Sequence, residues 1–139
     1  MSKTEINSDQ LKIARSANKV YEFLTDLRNY QNLLPEDETR DVEADVDKAS
    51  LSVKGLGHFS IEVTNKSPES FIELTPSGKL PFPFTIEWHI EDKGEESVVI
   101  GKIQAELNMF MKMMAEPKLR SFVDKQAHKL KNYLESEIS

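Results

Sequence analysis

The sequence predicts an α+β domain in which a curved antiparallel β-sheet packs against a long C-terminal α-helix. Two observations carry this. Over residues 39–107 apolar side chains recur at every second position through six successive segments, and over 111–137 they recur every third or fourth. A sheet with one apolar face and a helix with one apolar stripe must each be covered. The simplest solution is each against the other. The 139 residues fit one domain, 1–139, with enough chain for a real core.

Residues 3–13 hold Ile6, Leu11 and Ile13 among polar neighbours and read as a first strand, irregular at Asn7, Ser8 and Asp9. Ser16 stands where a helix N-cap belongs. Val20, Tyr21, Phe23, Leu24 and Leu27 follow at helical spacing, and Pro35 ends the segment. One helix is expected over 17–33, or two short ones bent near Arg28 and Asn29. Six strands come next, so the sheet should have about seven. They carry Val42, Ala44 and Val46; Ala49, Leu51 and Val53; Phe59, Ile61 and Val63; Ile72 and Leu74; Phe84, Ile86, Trp88 and Ile90; and Val99 to Leu107. Asn65 to Pro68, Pro76 to Gly78, and Lys93 with Gly94 supply the turns. Strict alternation marks an antiparallel sheet wet on one side. The last helix carries Leu119, Phe122, Val123, Ala127, Leu130, Tyr133 and Leu134 on one stripe. From about Met111 to Glu137 it would be roughly 40 Å long. Pro117 then kinks it or marks its start.

Composition excludes several functions. With no cysteine there is no disulfide framework, zinc finger or thiol nucleophile. A net charge of −6 makes nucleic acid an unfavourable partner. The first residues lack the apolar run of a signal peptide, and no stretch approaches the roughly 20 apolar residues of a membrane span. Cytoplasmic location and no stable membrane insertion are the expectations.

Local stretches now add a resemblance. Ser16-Ala17-Asn18-Lys19-Val20-Tyr21-Glu22-Phe23-Leu24-Thr25-Asp26 resembles the first-helix signature of the helix-grip superfamily of START, pollen-allergen and polyketide-cyclase-like proteins (SRPBCC). There a capping residue precedes a valine, two aromatics and an aliphatic. Leu107-Asn108-Met109-Phe110-Met111-Lys112-Met113-Met114 resembles its entry into the last helix. The likeness covers nearly the whole chain and is nearest to small polyketide cyclase/dehydratase-like members. The proline usual after the first strand is replaced by the region of Arg15 and Ser16. The resemblance implies a helix-grip fold with a cavity between sheet and helix, used across the superfamily for lipids, sterols, polyketides and other apolar molecules. Some members are enzymes, some carriers, and some bind chaperones, so the site must decide.

Strand phase tests for enzymology. It puts Phe59, Ile61, Val63, Ile86, Trp88, Ile90, Ile103, Ala105 and Leu107 inside. It puts His58, Glu62, Glu87, His89, Glu91, Lys102 and Glu106 outside. A general base must reach its substrate, and outward groups cannot serve a substrate held inside. No catalytic residue, cofactor or metal site is therefore expected. His58, His89 and Glu87 read as solvated strand residues rather than metal ligands, and His128 as a surface residue.

The expected function is a binding protein or carrier for a small hydrophobic or amphipathic ligand. Phe59, Ile61, Trp88, Ile103, Met109, Met113 and Phe122 are the expected ligand-binding residues, with Tyr21 and Tyr133 as candidate polar groups at the rim. Trp88 reads equally as core or cavity wall. The methionine run 109–114 reads as core filler at the strand-to-helix junction or as an adaptable gate. Leu80 and Phe82 either fold onto their own domain or cover the cavity mouth and touch a membrane or partner. Two alternatives stay open: a cyclase/dehydratase-like enzyme with an inward titratable group, and a protein-interaction module with a filled core.

Overall fold

The structure, a computed structural model, describes residues 3–136. The first alternating stretch forms two short strands, β1 (Lys3–Asn7) and β2 (Leu11–Ile13), interrupted at residues 8–10. Six longer strands follow the first helical region: β3 (Thr39–Ala44), β4 (Lys48–Val53), β5 (Gly57–Ser67), β6 (Phe71–Gly78), β7 (Phe84–Lys93) and β8 (Glu96–Glu106). All eight build one antiparallel sheet in the order β1-β8-β7-β6-β5-β4-β3, with β2 also pairing with β8. The extra strand relative to the expected seven comes from the break in the first. Ser8 spans that break: its N–H donates to the Gly101 carbonyl at 2.8 Å, and its Oγ accepts from the Gly101 N–H at 2.9 Å.

Helix α1 (Ala17–Thr25) begins where Ser16 Oγ accepts from the Lys19 N–H at 3.3 Å. It ends at Asp26, whose carboxylate accepts from the Arg28 N–H at 3.1 Å and caps a 3-10 segment over Leu27–Asn32. The bend thus falls two residues before the expected Arg28, because a short carboxylate favours a cap over a helix interior. Helix α2 (Met109–Ser136) starts two residues earlier than expected, capped by Asn108 Oδ1 on the Met111 N–H at 2.8 Å. Pro117 therefore lies inside the helix and does not mark its start. The expected end at Glu137 lies outside the described residues.

Both helices lie on one face of the sheet. Helix α1 crosses β6, β7 and β8, while α2 lies along β1, β2 and β8. The ladder between β7 and β8 runs unbroken from Phe84 opposite Ala105 to Lys93 opposite Glu96. Its phase is as expected, with Ile86, Trp88, Ile90, Ile103 and Ala105 buried. Ile72 and Leu74 of β6 are also fully buried. Two irregularities bend the far side of the sheet. Thr64 is an extra residue of β5 between Val63 and Asn65, and a shift in β3 lies between Arg40 and Glu43. The second holds Asp41 at a φ of 54°; Val42 and Ala44 still pack against the core as expected, while Val46 lies past the strand in the turn closed by the Asp45 N–H on the Lys48 carbonyl and is exposed.

The turn between β5 and β6 carries a local strain with a measurable consequence. The Ser70 N–H donates to the Ser67 carbonyl at 3.1 Å, with Pro68 and Glu69 between them. Glu69 has a φ of 64°, the third-position geometry of a type II turn, where glycine is preferred. Glu69→Gly is expected to stabilise the fold by about 1 kcal/mol and raise the melting temperature by about 3 °C. Thermal unfolding by circular dichroism checks this, and a lowered midpoint would refute it.

Candidate functional site

The apolar stripe of α2 that meets the sheet runs Met111, Ala115, Leu119, Phe122, Val123, Gln126, Ala127, Leu130 and Leu134, at steps of three and four. From Leu119 onward this stripe is packed. Before Leu119 the stripe is only partly buried, at Met111 and Ala115, and a cavity of about 550 Å³ opens beside it. That is within the size range of small-molecule sites, roughly 300–1,000 Å³.

Three pieces of chain wall the cavity. Met114, Ala115, Leu119 and Phe122 come from α2; Val53 and Leu56 from the end of β4 and the turn after it; Pro81 and Phe82 from the loop between β6 and β7. Phe82 is folded onto the domain and buried, its ring 5.8 Å from that of Phe84, which meets Phe59 edge-on at 5.8 Å. The loop thus forms a wall and not an exposed tip. Asp37, Glu38, Lys54 and Lys118 contribute the charged rim. Glu38 fastens it, accepting the Lys54 N–H on its carbonyl at 2.8 Å and pairing its carboxylate with Lys125 Nζ at 3.4 Å. A larger hollow of about 680 Å³ lies on the other side of the same turn, but Arg40, Ser52, Lys54 and His58 give it a wet, polar lining.

Of the residues expected to bind ligand, Phe122 lines the cavity. Phe59, Ile61, Trp88 and Ile103 face inward as the strand phase requires, but sit in the packed core. Met109 and Met113 are strongly exposed, at 85% and 79%, with Phe110 and Met114 beside them. They are not core filler. The reason is helical phase: Met109 and Met113 lie two positions off the stripe carried by Met111 and Ala115. Tyr21 and Tyr133 are half-buried on the side of α1, where Tyr133 packs on Phe23 with ring centres 5.1 Å apart.

The histidines all lie outside the core. His58 Nδ1 is 2.9 Å from Ser52 Oγ, and His89 Nε2 is 2.8 Å from Glu87 Oε1. Strand β6 separates their strands, so the three do not meet. His128 joins Asp9 and Asp124 instead, with ligand-type atoms within 4.8 Å of one another. The Asp9 N–H donates to Asp124 Oδ1 at 2.8 Å, so this accessible cluster clips the break between β1 and β2 onto α2.

One polar group in the core was not anticipated. The Tyr30 hydroxyl donates to Gln126 Oε1 at 3.0 Å, with both side chains buried. Burial pushes the Tyr30 phenol far above its ordinary range, and the neighbouring Trp88 indole N–H offsets this only in part. An unfolded tyrosine loses its proton from about pH 10, while folded Tyr30 holds it. Stability should therefore fall as pH rises beyond that point, by up to about 1.4 kcal/mol per unit. Tyr30→Phe should remove that slope. Urea unfolding at about pH 9 and about pH 11 measures it, and an unchanged slope in the variant would refute the assignment.

Comparison with known proteins places this geometry. Residues 10–139 match the family model of the carbon monoxide dehydrogenase G subunit, CoxG. Norcoclaurine synthase from Thalictrum flavum, a point mutant with a transition-state analogue, superposes with a TM-score of 0.76 at 11% identity, covering 99% of this chain and 98% of that one. The Zhui aromatase/cyclase from a Streptomyces species gives 0.73 at 15% identity, with 99% and 97% covered. A START superfamily protein from Mycobacterium smegmatis gives 0.69 at 15% identity, with 95% and 97% covered. At such identities the likeness is one of fold, and it makes the helix-grip architecture plain. No curated protein matches the sequence. Among the described residues no helix is long and apolar enough to cross a membrane.

Proposed function

We propose that this chain, which belongs to the CoxG family of carbon monoxide dehydrogenase subunits by its match over residues 10–139, is a binding protein or carrier for a small apolar or amphipathic molecule. The observation that carries this reading is the cavity of about 550 Å³ under the first turns of α2, walled by Leu56, Phe82, Leu119 and Phe122. Burial of apolar ligand surface there would supply roughly 25 cal/mol per Å². Charge at the rim would keep the mouth wetted while the walls stay apolar.

The chemistry of the interior favours binding over catalysis. Among the described residues the buried polar side chains are Thr4, Ser8, Ser97, Gln126 and Tyr30, and of these Tyr30 alone titrates. Its neutral form persists far above neutral pH, which suits a hydrogen-bonding role better than a general base. The exposed face of Met109, Phe110, Met113 and Met114 adjoins the mouth, since Met114 also lines the cavity. Flexible thioethers beside the opening suit a surface that must adapt to incoming apolar shapes.

The test is organic extraction of freshly purified protein followed by mass spectrometry against a matched blank. One apolar compound at near-stoichiometric yield is the expected result. An empty extract, with Trp88 emission unmoved by fatty acids, sterols and aromatic polyketides, would overturn the reading in favour of an interaction module.

A further inference from the structure

The break between β1 and β2 sets a carboxylate against the flank of α2. Gly101 holds Ser8 there by both its N–H and its hydroxyl, and the Asn7 carbonyl accepts from Arg120 of α2 at 3.4 Å. Asp9, the next residue, gives its N–H to Asp124 Oδ1 at 2.8 Å. The backbone that carries the Asp9 side chain is therefore already fixed to the helix.

Asp124 and His128 stand one turn apart on that flank, at i and i+4. His128 Nε2 lies 3.2 Å from Asp9 Oδ2 and 3.7 Å from Asp124 Oδ2. A tetrahedral ion with bonds of about 2.0–2.2 Å holds adjacent donors roughly 3.4 Å apart. The His128 nitrogen already stands at about that spacing from both carboxylates, and one donor atom from each of the three residues lies within 4.8 Å of the others. The Asp9 N–H engages Asp124 Oδ1, which leaves Oδ2 on the side of the imidazole. Metal sites orient their ligand carboxylates by hydrogen bonds of this kind.

Charge points the same way. Among the described residues neither Asp9 nor Asp124 pairs with a lysine or arginine; His128 is the partner of both. Two carboxylates thus share one imidazole, which has at most one positive charge to offer. A divalent cation would balance both. A nitrogen beside two oxygens suits a transition ion better than calcium or magnesium, which favour oxygen ligands.

We propose that Asp9, Asp124 and His128 form a site for a divalent transition-metal ion of the zinc kind, with water completing its coordination. The ion ties the strand break to α2 and stabilises the folded chain, because the unfolded chain does not hold the three together. None of the three lines the apolar cavity, so the site stands apart from the binding role argued above.

The test titrates untagged, metal-free protein with zinc chloride by isothermal calorimetry and repeats the titration with cobalt as a visible-absorption probe. One zinc per chain with a micromolar Kd is expected, and cobalt should give the d–d bands of a four- or five-coordinate site. Zinc at a hundredfold excess over its Kd should raise the melting temperature by about 5 °C or more. Asp124→Asn keeps an oxygen for the Asp9 N–H and removes the charge, so it separates metal ligation from the hydrogen bond. It and, separately, His128→Gln should weaken zinc at least about tenfold, with little change in the metal-free melt because exposed ion pairs contribute little. His58→Gln and His89→Gln should bind zinc as the unmodified protein does. Absence of zinc binding, or zinc binding without a rise in melting temperature, overturns the proposal. Affinity lost in His58→Gln or His89→Gln but kept in His128→Gln overturns it too, by moving the ion to another face. Calcium or magnesium bound in preference to zinc overturns the transition-ion assignment. A metal-free melt clearly lowered by His128→Gln, with no zinc bound by the unmodified protein, would show an ion-pair clip and no metal site.

Discussion

Gly101→Ala is expected to destabilise the protein by about 2 kcal/mol, although glycine within a strand is ordinarily a weakness that alanine repairs by about 0.5–1 kcal/mol. The sign reverses because of what the missing side chain makes room for. A Cβ at Gly101 would stand 2.9 Å from Trp88 Cζ3 and 3.0 Å from Val123 Cγ2. One contact is to the sheet's own tryptophan and the other to α2, so the methyl would wedge the grip itself. Neither neighbour can yield easily, since Trp88 is fully buried and Val123 nearly so. Equilibrium denaturation gives the loss. The mechanism is checked in a Trp88→Phe background, where the outer ring atoms that crowd the methyl are gone. There the penalty should shrink by about 1 kcal/mol or more, and strictly additive costs would show that the ring is not the obstacle.

That contact illustrates what could and could not be read from the chain itself. Alternation showed that Trp88 and Ile103 face inward and that His58, His89 and Lys102 do not, because a side chain's face in an unbroken strand follows from parity alone. The ladder between β7 and β8 has no shift to spoil it. Parity also held in β3 for Val42 and Ala44; what it missed was the end of the strand, since Val46 already lies in the turn, and the left-handed conformation of Asp41, which no glycine announced. Helical phase was legible where the stripe is dense, from Leu119 to Leu134. It was lost between Met109 and Met114, where nearly every residue is apolar and a stripe has no edges.

The site was harder to read than the fold, for a related reason. The inner strand residues were expected to wall a cavity, yet most of them close on one another. The open volume lies at the end of the sheet, walled by Leu56 and Phe82 from turns that carry no periodicity. Tyr30 sits in a short 3-10 segment and Gln126 among charged neighbours on α2, so neither drew notice as a core residue. Ninety-six positions separate them, and only the packing of the 3-10 segment against α2 brings them together. A glutamine on an otherwise apolar stripe was the one available signal.

Ala115→Trp should abolish most of the ligand binding while leaving the fold intact. Ala115 is half-buried, one turn before Leu119, and lines the cavity from above. An indole placed there points into the open volume and not into packed core, so it fills space without displacing the side chains that hold α2 to the sheet. A tryptophan buries about 150–250 Å². If it takes about 100 Å² of wall from the ligand, the loss is about 2.5 kcal/mol, or nearly a hundredfold in affinity. Stability should change little, because what α2 gains in apolar burial offsets the modest helix preference it gives up. Titration of the extracted ligand into apo-protein, beside a thermal melt, separates the two effects. Weakened binding with an unchanged melt places the ligand under the first turns of α2. Unchanged binding with a tryptophan in that wall would place it elsewhere, and the cavity would then be a feature of the fold without a role in holding the ligand.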